Sequence, residues 1–106
     1  MFERIGVIGG GIMGAGIAEV SALAGLDVIL HEVDQQRVNG ARERIDVSLQ
    51  RAAKRDKISV EDAEATLSRL RTTSELTDLH DRDLVIEAII EDESAKLELF
   101  TKLDGI

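Results

Sequence analysis

The feature that most constrains this chain is a glycine cluster set directly behind a short apolar run. Ile5, Val7 and Ile8 are nearly continuous; Gly9, Gly10, Gly11 and Gly14 follow, with Gly16 close behind. An unbroken apolar run predicts a strand, over residues 2–9, that is covered on both faces, because a strand with one wet face would alternate. Beyond the glycines, Ile17, Val20 and Leu23 recur at helical spacing and predict a helix over 12–24. Gly25 suits its C-terminal stop, since glycine takes positive φ without a Cβ clash. Val28, Ile29 and Leu30 centre a second strand over 27–32. Strand, helix and strand at this spacing make a βαβ unit, which implies parallel strands and a right-handed crossover.

Gly9, Gly11 and Gly14 satisfy G-x-G-x-x-G, with Ile12 and Met13 in the variable positions. The pattern alone is common, but here it sits between strand and helix, the context its chemistry requires. Gly9 permits a tight turn, Gly11 lets a pyrophosphate approach the backbone, and Gly14 lets helix and strand pack closely. The opening of the helix then offers unpaired N–H groups and positive partial charge to phosphates. Glu32 lies 18 residues after Gly14 and directly ends the second apolar run. A carboxylate there accepts hydrogen bonds from both ribose hydroxyls of an adenosine and repels a 2′-phosphate, which favours NAD over NADP. Asp34 competes for this role, but Glu32 is preferred because it closes the strand.

The remainder reads as more of the same α/β architecture. Val38, Ala41, Ile45, Leu49 and Ala52 form one face of a long helix over 35–53. Residues 54–57 form a charged turn, and Ser59 followed by Glu61 and Asp62 marks a second helix start, ending near 68. A short strand is expected over 69–73, a β-branched one over 84–90, and a helix over 94–104. The fold class is thus a Rossmann-type parallel sheet of order 3-2-1-4, incomplete, with a helical hairpin over about 35–68 after strand two. All 106 residues make one domain.

Composition narrows the possible functions. A net charge of −8 argues against a broad nucleic-acid-binding surface. The absence of cysteine excludes disulfides and thiolate chemistry, and no histidine–carboxylate metal cluster is visible. No apolar run approaches the roughly 20 residues that span a bilayer. The N-terminus lacks an export-type pattern, so a cytoplasmic location is expected.

Taken together, the glycine loop, Glu32 and the later strand make the chain resemble the N-terminal part of the 3-hydroxyacyl-CoA dehydrogenase family, 3-hydroxybutyryl-CoA dehydrogenases included. Residues 5–18, the region from Ser48 to Arg51, and residues 83–91 running into Lys96, Leu99 and Phe100 carry the likeness. The resemblance implies NAD bound at the loop and at Glu32, with Glu91 near the nicotinamide half. It places Lys96 where cofactor and acyl-CoA meet, and it points to Ser48 and Arg55 as CoA contacts. An arginine at 55 keeps the positive charge a CoA phosphate needs. The basic run of 54–57 in an acidic chain also fits a polyanion site, although an ordinary solvated turn accounts for it equally well.

The family's catalytic serine, asparagine and histidine–glutamate pair fall beyond the stretch represented here. His31 and His80 lack the context of a base held by a carboxylate and are expected to be structural or solvent-exposed. No catalytic residue is therefore assigned. Rival readings are a short-chain β-hydroxyacid dehydrogenase of the hydroxyisobutyrate type, disfavoured by Glu32-Val33 and the long helical excursion, and a non-catalytic NAD-binding module. Strand 84–90 would carry an open outer edge, so the chain is expected to dimerise, swap an element or aggregate there.

Overall fold

The computed structural model describes residues 3–9 and 11–88. Strand β1 (Arg4–Ile8) leads into helix α1 (Ile12–Leu23) and strand β2 (Asp27–His31). Helices α2 (Gln35–Lys54) and α3 (Val60–Ser68) form the hairpin, followed by β3 (Leu70–Thr73), a 3₁₀ turn (Leu76–Leu79) and β4 (Leu84–Glu87). The sheet is parallel throughout, in the order β3-β2-β1-β4. That is the expected order; the side of the sheet on which strands are added switches between β1 and β4, beside the glycine loop. The expected helix over 94–104, Glu91 and Lys96 lie outside the described residues, as do the last residues of the strand expected over 84–90.

The central strands are buried as their unbroken apolar runs require. Val7, Val28 and Leu30 face the helices, where Ile45, Leu49 and Leu70 complete the main core. Ile8 and Ile29 face the other way, onto Leu79 of the 3₁₀ turn. No pattern in the sequence marks that turn. On α2, Val38, Ala41, Ile45 and Leu49 are buried as the spacing predicts, and Ala52 is half-buried.

Helix α1 packs on a different face from the one its large apolar residues suggest. Gly14, Ala15, Ala18 and Ala22 are buried, whereas Val20 is 67 % and Leu23 39 % exposed. The reason is close approach. A Cβ at position 14 would overlap the carbonyl oxygen of Gly9 and lie 2.7 Å from its carbonyl carbon. Only a face of glycine and alanine lets this helix lie so near the strand end.

Both long helices end in the same hydrogen-bonded stop. In α1, Gly25 N–H donates to Ala22 and Leu26 N–H to Ser21. In α2, Asp56 N–H donates to Ala53 and Lys57 N–H to Ala52. Gly25 takes φ 93° freely, but Asp56 adopts φ 58° with a side chain. The basic run of 54–57 is therefore built into a helix stop, its cations facing the negative end of the α2 dipole.

The strand N-termini, at the far end of the sheet from the glycine loop, are tied by charge. The Arg82 side chain is 1 % exposed and donates to Asp27 Oδ1 at 3.0 Å and to Asp81 Oδ1 at 2.9 Å. Asp83 Oδ2 accepts from the N–H groups of Glu3 and Arg4 at 2.8 and 2.9 Å. Hydrogen bonding to Arg82 holds the Asp81 carboxyl down to about 2. Burial opposes the charge on Asp27, yet its bonds to Arg82 and Arg71 keep it below the usual carboxylate range.

Candidate cofactor site

The C-terminal end of the sheet is shaped by the turn that leaves β1. Gly9 has φ 102°, a conformation side chains rarely adopt, and its N–H donates to the His31 carbonyl at 2.9 Å. The turn is thereby pinned to the last residue of β2. Gly11 then caps α1, accepting from Ala15 N–H at 2.9 Å. It brings no side chain to the helix start, and the first turn holds no acidic residue. Above Gly11 the space is open: an added Cβ would meet nothing within 4 Å. Ile12 and Met13 are exposed beside it.

The other two helices begin differently. Asp34 caps α2 by accepting from Arg37 N–H at 2.9 Å, and Ser59 caps α3 by accepting from Asp62 N–H at 3.0 Å. Glu61 and Asp62 also place negative charge in the first turn of α3. Among the described α-helices, α1 alone opens with bare amides, and it does so at the glycine loop.

Glu32 follows β2 directly and is half-buried, its N–H donating to the Thr73 carbonyl at 3.0 Å. Its Oε1 accepts from Val33 N–H at 3.3 Å. A cleft of about 520 Å³ connects it to the loop, lined by Gly11, Glu32, Asp34, Arg37, Gly40 and Arg44 among others. Because Asp34 caps α2, Glu32 is the better placed of the two candidate acids. Glu87, which no motif marks, ends β4 opposite Ile8 at the same C-terminal end of the sheet. The register could have found it, as its strand is the one beside β1.

The expected CoA contacts are not brought together with one another. Ser48 is half-buried in an adjoining cleft of about 430 Å³, which shares Gly40 and Arg44 with the first. Arg55 lies two turns further on, exposed at the end of α2. An apolar groove of about 390 Å³ between α2 and α3, lined by Leu49, Ala53, Val60 and Leu67, was not anticipated. Of the histidines, His31 is buried and its Nδ1 has no hydrogen-bond partner among the described residues. Burial holds its pKa below the usual 6.5. His80 is exposed. No cluster that could hold a metal occurs among the described residues, and none of their helices is long and apolar enough to cross a membrane.

Residues 4–106 match the family model described as the NAD-binding domain of 3-hydroxyacyl-CoA dehydrogenase. The chain belongs to that family. A 3-hydroxybutyryl-CoA dehydrogenase of Mycobacterium tuberculosis is 45 % identical over 104 residues, which are 98 % of this chain and 36 % of the relative. The crystal structure of M. tuberculosis FadB2 superposes with a TM-score of 0.95 at 46 % identity, over 97 % of this chain and 36 % of that one. That of (S)-3-hydroxybutyryl-CoA dehydrogenase PaaH1 from Ralstonia eutropha gives 0.95 at 31 % identity, over 100 % and 38 %. The chain thus spans little more than a third of the relatives it matches. For a 3-hydroxyacyl-CoA dehydrogenase domain the cofactor is NAD, and the site is compatible with it: bare amides at the start of α1, open space above Gly11, and a carboxylate across the cleft.

Proposed function

We propose that this chain holds NAD for the oxidation of a 3-hydroxyacyl-CoA to the 3-oxoacyl-CoA, and that the catalytic base comes from outside these residues. The observation that carries the reading is the uncapped start of α1 beside Gly11, where the other two described α-helices are capped. Bound NAD would supply the hydride acceptor for the substrate's C3 hydrogen. The chain's own part is to bind and orient. Gly9, Gly11 and Gly14 shape the turn, and the amides at Ile12 and Met13 face the diphosphate. Glu32 accepts from the ribose hydroxyls. Glu91 serves the nicotinamide half, and Lys96 the junction with the acyl-CoA, while Ser48 and Arg55 serve the CoA. A cytoplasmic location belongs to the same proposal.

Calorimetric titration with NADH, paired with an assay on acetoacetyl-CoA, tests this. The 106-residue chain should bind NADH and show no turnover. Absence of binding by a folded sample, or turnover without the missing base, contradicts the proposal.

Self-association through β4 is proposed as well. Among the described residues β4 pairs within the sheet with β1 as its one neighbouring strand, and Leu84 is 39 % exposed. The opposite edge is guarded, since Arg42 donates to the Leu70 carbonyl at 2.7 Å. Light scattering of the chain at high concentration should give a mass above the monomer; a monomer contradicts it.

A further inference from the structure

The groove between α2 and α3 takes no part in the cofactor site. Leu49, Ala53, Val60, Ala63 and Leu67 give it about 390 Å³ of mostly apolar space. It stays open because small side chains stand on both walls, Ala53 on α2 and Ala63 on α3. Val60 is 59 % exposed there, apolar area left wet at the first position of α3. At about 100° of turn per residue, Asp46, Gln50 and Ala53 stand on the side of α2 opposite Ser48 and Arg55. The groove is therefore separate from the expected CoA contacts. Its charges are unequal along its length. Asp46 marks the end away from the hairpin turn, where its Oδ1 accepts from Gln50 Nε2 at 3.2 Å, and Glu64 adds a carboxylate on the α3 wall. Lys54 marks the turn end, exposed and in no ion pair with a described residue.

We infer that this groove binds a free medium-chain fatty acid, its tail against Leu49, Ala53, Val60 and Leu67 and its carboxylate on Lys54. Its volume lies within the range of small-molecule sites, roughly 300–1,000 Å³, which pair apolar walls with a few placed polar groups. A stable protein partner would need roughly 1,200 Å² or more of buried surface, which a channel of this size does not offer. From Lys54 to Asp46 the groove runs about 12 Å along α2. An extended chain advances about 1.2 Å per bond, so a tail of about ten carbons fills that length. One lysine at the mouth suits a single negative charge rather than the several of a CoA, and the carboxylates of Asp46 and Glu64 turn the anionic head toward Lys54. The inference does not depend on the NAD reading.

Titration of the isotope-labelled chain with decanoate, below its micelle concentration, tests this by amide shifts and calorimetry. Hexanoate and decyltrimethylammonium serve as comparison ligands. Decanoate should saturate, with the largest shifts at Ala53, Lys54, Val60 and Leu67. Each methylene removed should weaken binding about threefold, so hexanoate should bind about eightyfold less tightly. The cationic amphiphile should bind at least about tenfold less tightly than decanoate. Lys54→Glu, a change at an exposed side chain, should weaken decanoate at least about tenfold. Ala53→Leu, which fills the channel with a good helix former, should abolish binding, with urea denaturation confirming the fold. Equal binding of the two ten-carbon amphiphiles, or decanoate binding unchanged in both variants, overturns the inference. Shifts centred on the glycine loop, or no saturable binding by a folded sample, overturn it as well. If an amphipathic helical peptide occupies the groove and decanoate does not, the occupant is a protein and the inference fails.

Discussion

Helices α1 and α3 begin in opposite ways. Helix α3 satisfies its own start: Ser59 accepts from the Asp62 amide, and two carboxylates face the dipole. Helix α1 opens on Gly11 with no side chain and no charge. A helix start left without a cap forgoes about 1 kcal/mol. In α3, where the surroundings ask nothing of the helix start, the cap is present. In α1 it is missing at the one place where the sheet order reverses and a carboxylate waits across a cleft. The difference teaches that local stability has been left unclaimed where a ligand can supply the missing partners.

The most damaging way to break this comparison is at Gly14. Gly14→Val forces a side chain into the Gly9 carbonyl and should cost about 3 kcal/mol through overpacking, read by urea denaturation. NADH binding should vanish with it. A wild-type midpoint for this variant would show that the close approach of α1 to the loop is not required.

A sharper cut reverses the two helix starts. Gly11→Asp gives α1 the cap and charge that α3 has, in open space. Its stability should be unchanged or about 0.5 kcal/mol higher, while NADH affinity falls at least about tenfold because the carboxylate stands where the diphosphate would. Ser59→Ala should do the opposite, losing about 1 kcal/mol of stability without touching NADH. Equal effects of the two substitutions on binding would erase the contrast.

Acid should act on the end of the sheet remote from the loop. Asp27, Asp81 and Asp83 all have folded pKa values below 3.8, Asp81 at about 2. Depressed acids contribute stability above the unfolded pKa and lose it as pH falls through the folded one. Stability should therefore drop between pH 3.8 and about 2, and less so in Asp81→Asn. His31 is also depressed, by burial, so a milder loss should begin below pH 6.5 and be absent in His31→Leu. Denaturation midpoints across pH read both.

The smallest effect is expected at the stop of α2. Asp56→Gly relieves a left-handed residue that Gly25 occupies freely in α1 and should raise stability by about 0.5–1 kcal/mol, seen as a higher melting temperature. A lower melting temperature would mean that the Asp56 side chain contributes more than its backbone costs.

Much of this could be read from the residues because it is local. The βαβ unit, the Ser59 cap, the Gly25 stop and the buried face of α2 each follow from spacing within a turn or two. The packing face of α1 could not, because periodicity weighs large apolar residues and this helix is buried through its smallest ones. Nothing local marks Arg82 for burial. Its burial depends on Asp27, 55 residues away, and only the fold joins them. The cleft beside Glu32 is hidden for the same reason: it joins Gly11, Glu32 and Arg44, which lie far apart along the chain.

NAD is proposed to dock on the bare amides opening α1. Amide shift mapping of the isotope-labelled chain titrated with NADH measures it residue by residue. The largest shifts are expected at Gly11, Ile12, Met13 and Gly14, a second group at Glu32, and no change at the capped start of α3. Shifts confined to the groove between α2 and α3, or none at millimolar NADH, would contradict it.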